Sequence, residues 1–371
     1  MKIVVATDQV CIHGGIEKVT IAKANFLSEV PNLVIYIVTS DQGNLPAKYP
    51  LSSKVKIIDC GVNYNRSKSI LSFENLKKAF KHFRMQKKIL KNIRPDFIIH
   101  PNMNVDYFWL PYIKRKAKLI REVHSSKQFS AINNKKFSLA ATLRKNVNKW
   151  ADSKFDQIIV LNNDEKNHFD HQNVVVIPNP VITTAFKADV TSNLVVAAGR
   201  IAPVKGFDQL INAWSIIRKD FPEWQLHIYG EDYVDTQSDL QAQINQSGLQ
   251  NCIKFMGTVN NLPDTLRNYS IYAMTSQTEC FPMVLLEALS VGLPIVTYNC
   301  PTGPRHIVTD NSDGFVTPYK DVNGFAEKLS ELMSDESLRI KMGINGQLNV
   351  QRFNIQNIGQ QWIDLFCRLK S

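Results

Sequence analysis

The sequence predicts an α/β protein of two doubly wound, Rossmann-like domains facing a cleft, and three observations carry that prediction. Short β-branched runs alternate with amphipathic stretches along the 371 residues, the pattern of parallel strands covered by helices. The alternation breaks once, at Ile177-Pro178-Asn179-Pro180 and the Thr- and Ala-containing stretch after it, because two prolines flanking one residue stop both a helix and a central strand. It then restarts at Leu194. Domains of ordinary size are therefore expected over 1–180 and 190–350, with ligands bound outside the carboxyl ends of the strands.

In the first domain, β-branched runs predict strands at 2–7, 33–40, 55–60, 97–101, 118–124, 157–161 and 174–178. Helical spacing predicts helices over 15–29, 72–93, 104–115, 137–150 and 163–170. The second domain reads as strands at 194–199, 225–230, 253–256, 271–275, 294–298 and 314–317, with helices over 206–219, 235–247, 261–268, 282–291 and 321–333. A closing helix within 353–371, with Ile358, Trp362, Leu365 and Phe366 at helical spacing, is expected to pack back on the first domain.

Composition narrows the function classes. A hydrophobic fraction of 44% and a charged fraction of 21% suit a soluble globular chain. Apolar runs are strand-sized, short of the roughly 18–20 residues of a membrane span. The first strand turns polar at Thr7-Asp8, unlike a secretory signal. The cysteines (Cys11, Cys60, Cys252, Cys280, Cys300, Cys367) show no Cys-x-x-Cys spacing, which argues against a zinc site or disulfide framework and for a reducing cytoplasm. Residues 1–190 carry 30 Lys and Arg against 15 Asp and Glu, whereas 191–371 carry 14 against 18. A basic half joined to a mildly acidic one implies different partners, with anionic lipid and nucleic acid both open for the first.

Three segments carry chemistry. Thr278-Glu279-Cys280-Phe281-Pro282-Met283-Val284-Leu285-Leu286-Glu287 joins a strand to a helix. Pro282 suits a position near N1, and the free N–H groups of Met283 and Val284 with the helix dipole make a site for phosphate. Glu279 before the helix and Glu287 inside it offer one carboxylate to a sugar and one to the ribose of a nucleotide sugar. Gly199-Arg200-Ile201-Ala202-Pro203-Val204-Lys205-Gly206 follows the first strand of the second domain. An Arg fork and a mobile Lys five residues apart suit the clamping of a diphosphate. Gly14-Gly15-Ile16-Glu17 follows the opening strand; paired glycines let backbone approach a ligand at a helix start, although Gly-x-Gly-x-x-Gly is absent.

Together these residues resemble the GT-B retaining glycosyltransferases of family 4, over nearly the whole chain and of the type that builds bacterial surface polysaccharides. The resemblance rests on Gly14, Gly15 and Glu17, on Gly199-Arg200 with Lys205-Gly206, and on Glu279 and Glu287. It implies that Arg200 and Lys205 hold the donor diphosphate, with Phe281, Pro282, Met283 and Val284 around it and Gly15 beside the phosphates. It also implies that Glu287 binds the ribose and Glu279 the transferred sugar. His124, in Arg121-Glu122-Val123-His124, resembles the family's sugar-contacting histidine. Cys280 stands where glycine is commoner, and His306 where glutamate is.

No Asp-x-Asp pair occurs in the chain, so activity without a metal or other cofactor is expected, with fixed cations stabilising the leaving group. The donor is expected to be a nucleotide diphosphate sugar, with uridine as the base, and the acceptor a lipid-linked glycan or lipopolysaccharide. The basic amphipathic stretch 72–94, with Lys77, Lys78, Lys81 and Arg84 among its cations, is expected to dock on an anionic membrane surface. A peripheral place on the inner face of the cytoplasmic membrane follows. Competing readings are a nucleotide-sugar 2-epimerase or a phosphorylase of the same fold, and a basic nucleic-acid-binding protein, for which no zinc-finger, RNP-like or helix-turn-helix signature appears.

Overall fold

The computed structural model describes residues 1–126, 139–169, 173–183 and 186–370. The start of the helix expected over 137–150, the last residue of the one over 163–170 and part of the stretch after Pro180 lie outside the described residues. The chain divides into two compact units, Met1–Pro180 with Ile355–Ser371, and Val181–Asn354.

In the N-terminal unit, strands β1 (Lys2–Thr7), β2 (Val34–Thr39), β3 (Lys56–Asp59), β4 (Phe97–His100), β5 (Lys118–Val123), β6 (Gln157–Val160) and β7 (Val174–Val176) form a parallel sheet. Its order is β3-β2-β1-β4-β5-β6-β7. Ile3, Val4, Val5 and Ala6 of β1 are all buried, as a strand covered by helices on both faces requires. The described helices here are α1 (Gly15–Glu29), α2 (Phe73–Ile93), α3 (Leu110–Ile113), α4 (Leu139–Asp152) and α5 (Asn163–Lys166). Ser72 caps α2 by accepting from the Asn75 N–H at 3.3 Å, and the helix ends at Arg94, whose φ is +53°, ahead of Pro95. The helix expected over 104–115 is instead a 3₁₀ turn, Val105–Phe108, followed by α3. Pro111 cannot sit inside a longer helix and falls in the first turn of α3.

In the C-terminal unit, β8 (Leu194–Ala198), β9 (Gln225–Tyr229), β10 (Ile253–Gly257), β11 (Ile271–Met274), β12 (Ile295–Tyr298) and β13 (Gly314–Thr317) form a second parallel sheet. Its order is β10-β9-β8-β11-β12-β13. It is covered by α6 (Phe207–Ile217), α7 (Thr236–Gln246), α8 (Leu262–Leu266), α9 (Met283–Ser290), α10 (Val322–Ser334) and α11 (Glu336–Asn349). Trp214, Phe325 and Tyr298 anchor its core; fully burying one large apolar side chain stabilises by about 1.5–3 kcal/mol. The final helix, α12 (Ile355–Lys370), belongs to the N-terminal unit. Its Ile358, Trp362, Leu365 and Phe366 join the core that holds Ile21, Leu27 and Phe97. Gly359 permits this docking, since a Cβ there would stand 2.1 Å from the Phe26 ring.

Both sheets reverse their strand order beside the first strand, between β1 and β4 and between β8 and β11. At such a reversal the flanking loops part and leave a crevice at the carboxyl ends of the strands. All three motif segments singled out in the sequence leave strands at or next to these two points.

Candidate active site

In the C-terminal unit, the loop after β8 and the loop after β11 meet at the reversal and are bonded together. Gly206 has φ +63°, and a Cβ there would stand 2.2 Å from the Thr275 carbonyl oxygen. Only glycine supplies both that left-handed conformation and that close approach. Thr275 Oγ1 donates to the Gly206 carbonyl at 2.8 Å, and the Gln277 N–H donates to the Val204 carbonyl at 2.8 Å. Across this seam Lys205 Nζ donates to Glu279 Oε1 at 2.7 Å, and Ser276 Oγ donates to the same oxygen at 2.8 Å.

A third loop fixes Glu279 from the other side. The Glu279 N–H donates to the Pro301 carbonyl at 2.8 Å, and the Thr302 N–H donates to the Glu279 carbonyl at 2.7 Å. Gly303 packs where a Cβ would meet Pro282 at 2.6 Å. The main chain of Glu279 is thus held like a strand residue while its carboxylate faces Lys205. Pro282 is the residue before α9 rather than its first turn, and no side chain caps the helix there. Phe281 is buried and stacks edge-on against Phe353 at 5.4 Å, and Met283 and Val284 open the helix.

Glu287 is buried on α9. The buried Tyr272 hydroxyl on β11 donates to the Ala198 carbonyl at 3.0 Å and accepts from the Ala198 N–H at 3.2 Å. Burial pushes the Tyr272 pKa up, and the charges of Glu287 and Glu279 push it further. Arg200 is exposed, with its guanidinium 5.2 Å over the Tyr233 ring. It forms no ion pair among the described residues, whereas Lys205 is paired with Glu279.

In the N-terminal unit, Gly15 is the first residue of α1 after Gly14. A Cβ on Gly14 would stand 2.0 Å from Glu17 Oε2, so the glycine makes room for the acid. Glu17 Oε1 accepts from Gln9 Nε2 at 3.1 Å, and burial raises its pKa, with nearby Asp8 adding to the shift. His124 follows β5, and its Nε2 lies 2.8 Å from Glu122 Oε2. The other oxygen of Glu122 takes the buried Lys23 ammonium. Burial alone would raise the Glu122 pKa, but Lys23 and His124 hold it at about 2.

On α2, Lys77 sits 4.2 Å over the Phe73 ring and Arg84 5.8 Å over that of Phe80, both rings exposed. Lys78 donates to the Asn63 carbonyl at 2.8 Å and Lys81 to the Gly61 carbonyl at 2.5 Å. These two cations tie down the loop before the helix. Among the described residues, no group of three His, Cys, Asp or Glu side chains is arranged to hold a metal ion, and no helix is long and apolar enough to cross a membrane.

Sequence reasoning missed Ser276, Tyr272 and the Pro301–Thr302 loop. A serine, a strand tyrosine and a loop proline carry no pattern that points to a site: Ser276 reaches Glu279 within its own loop, Tyr272 bonds Ala198, and Pro301 and Thr302 meet Glu279 only through the tertiary fold. Lys23 was missed for another reason, since a lysine within a helix reads as solvated.

Residues 181–349 match the family Glycosyl transferases group 1, and residues 13–185 match Glycosyltransferase Family 4. The chain belongs to the family 4 glycosyltransferases. An uncharacterized glycosyltransferase of Haemophilus influenzae is 26% identical over 94% of this chain and 95% of its own length. The amylovoran biosynthesis glycosyltransferase AmsD of Erwinia amylovora is 26% identical over 98% of this chain and 99% of its own. Among solved structures, Anabaena HepE in complex with UDP and glucose superposes with a TM-score of 0.76, covering 98% of this chain and 99% of that one at 19% identity. At that identity the likeness establishes the fold, GT-B, for this glycosyltransferase.

Proposed function

We propose that this glycosyltransferase moves a hexose or N-acetylhexosamine, with retention at the anomeric carbon, from a uridine diphosphate sugar to a lipid-linked glycan or lipopolysaccharide. The observation that carries the reading is the Lys205–Glu279 pair at the strand reversal of the C-terminal unit, which sets a cation for phosphate beside a carboxylate for sugar hydroxyls. Arg200, exposed and outside any ion pair among the described residues, is placed in the same role as Lys205 on the diphosphate. The start of α9 at Met283 and Val284 supplies N–H donors, and Glu287 takes the ribose hydroxyls. The N-terminal unit binds the acceptor, with Gly15 beside the phosphates and His124 on the transferred sugar. HepE, solved with UDP and glucose, and AmsD, named for polysaccharide synthesis, support the substrate classes.

In the reaction, the bond from the anomeric carbon to the diphosphate oxygen breaks as charge grows on that oxygen. Arg200, Lys205 and the helix start stabilise this charge without a metal ion. The acceptor hydroxyl attacks from the same face, its oxygen bonds to the anomeric carbon, and its proton passes to the departing phosphate.

The lipid part of the acceptor calls for a membrane-facing surface. Leu71 and Phe73, 74% and 73% exposed, with Phe80, Lys77 and Arg84, support peripheral attachment at the inner face of the cytoplasmic membrane. A panel of nucleotide sugars tests the function: a uridine diphosphate hexose is expected to be hydrolysed slowly without acceptor and transferred with an α-anomeric product from an α-linked donor. Inverted product, or no turnover of any nucleotide sugar, contradicts the reading.

A further inference from the structure

A buried chain of charges runs behind His124. Glu122 and Lys23 are each enclosed and ion-paired, and Lys23 lies 4.3 Å over the ring of Trp362 on α12. Buried ion pairs seldom stabilise a fold more than apolar packing of the same volume, so this one invites a reason beyond stability. It ends on an imidazole: Glu122 Oε2 and His124 Nε2 are 2.8 Å apart. An ionised carboxylate is an acceptor only, so Nε2 must carry the hydrogen. Of the two neutral tautomers, this is the one whose lone pair lies at Nδ1. Catalytic triads and metal sites use a carboxylate in this way to fix the tautomer and orientation of a histidine.

We propose that Glu122, clamped by Lys23, is a positioning residue that commits His124 Nδ1 to accept a hydrogen bond from a hydroxyl of the transferred hexose. This rests on the glycosyltransferase reading above and adds the group that sets how the sugar is read. A ring fixed as an acceptor favours a sugar with a hydroxyl at the contacted carbon and discriminates against one that lacks it, because the loss leaves a polar atom unpaired.

Two variants test it. Glu122→Gln preserves shape but offers the ring an amide, and Glu122→Gln/Lys23→Met also removes the cation that the first change strands. Histidine-selective ¹⁵N spectra, with His124 identified by its loss in His124→Gln, read the tautomer directly. Donor hydrolysis reads kcat and KM for a uridine diphosphate hexose and its deoxy analogue, and thermal protection by UDP alone reports the nucleotide site. Native protein is expected to show protonated Nε2. Both variants are expected to lose that signature, to fall about 10- to 100-fold in kcat/KM, to lose preference for the intact hexose, and to keep protection by UDP. A native Nδ1–H tautomer, or unchanged kcat/KM and hexose preference in the double variant, overturns the proposal. Native protein that neither binds UDP nor turns over any nucleotide sugar overturns the functional reading first, while the tautomer measurement still judges the role of Glu122 on its own.

Discussion

The ammonium of Lys205 donates to Glu279 at 2.7 Å, joining two loops whose residues are 74 positions apart in sequence. Neither group is fully buried, with side-chain exposures of 24% and 13%, so the pair is open to a ligand. A bound diphosphate would draw Lys205 toward its oxygens and release a carboxylate lone pair for a sugar hydroxyl. Lys205→Met is expected to lower kcat/KM about 10²- to 10³-fold, the usual cost of one transition-state donor. Because the two groups act together, the loss in Lys205→Met/Glu279→Gln should be smaller than the product of the single losses. A double-mutant cycle on donor hydrolysis checks this.

Gly206 stitches that seam. Ala at 206 would combine a left-handed φ of +63° with a Cβ 2.2 Å from a carbonyl oxygen, whereas Gly61, at φ +58°, faces open space. Gly61→Ala should cost about 1 kcal/mol from backbone conformation alone. Gly206→Ala should cost more, on the order of 2–3 kcal/mol, and reduce activity with it. Urea unfolding of both variants measures the difference.

The pH dependence of stability should carry the mark of Glu122. Its folded pKa of about 2 lies below the ordinary value of 4.5. The folded state therefore gives up this proton more readily than the unfolded state, and the resulting stability is complete above about pH 4.5 and lost as pH falls toward 2. Glu122→Gln should flatten the acid limb of stability in that window. Urea midpoints collected across it check the slope.

Vesicle binding should separate the cations of α2. Charge reversal at Lys77 and Arg84, or Asp at Phe73 and Phe80, should weaken flotation with anionic vesicles, at about 1 kcal/mol for each cation lost near the surface. Lys78 holds the Asn63 carbonyl and Lys81 that of Gly61, so reversing them should act chiefly on thermal stability. Flotation at low and high salt, beside melting curves, distinguishes the two pairs.

Much of the fold was legible because parallel strands advertise themselves: runs such as Ile98-Ile99 or Val195-Val196 are buried on both faces and need no alternation to be recognised. Boundaries shifted where local chemistry intervened, as at Pro111 and Pro282. Helix α11 was not among the expected elements, and its Gly343 and Gly346 weaken a helical pattern. In the structure they are contact points, where a Cβ would stand 2.2 Å from the Gly292 carbonyl oxygen and 2.9 Å from Leu289. At the site, Arg200, Lys205, Glu279 and Glu287 could be picked out because spacing on a loop and a helix start is local information. The bonds that orient Glu279 come from Ser276 on its own loop and from Pro301 and Thr302, which only tertiary packing brings near.

The central claim, that Arg200 and Lys205 together receive the donor diphosphate, is tested most directly by UDP-induced thermal protection of the native chain and of Arg200→Met/Lys205→Met. At 100 times Kd the native chain should gain about 2.7 kcal/mol and melt at a higher temperature, while the variant, equally folded without ligand, should show little or no shift. Equal protection of both proteins at the same UDP concentration would contradict the account.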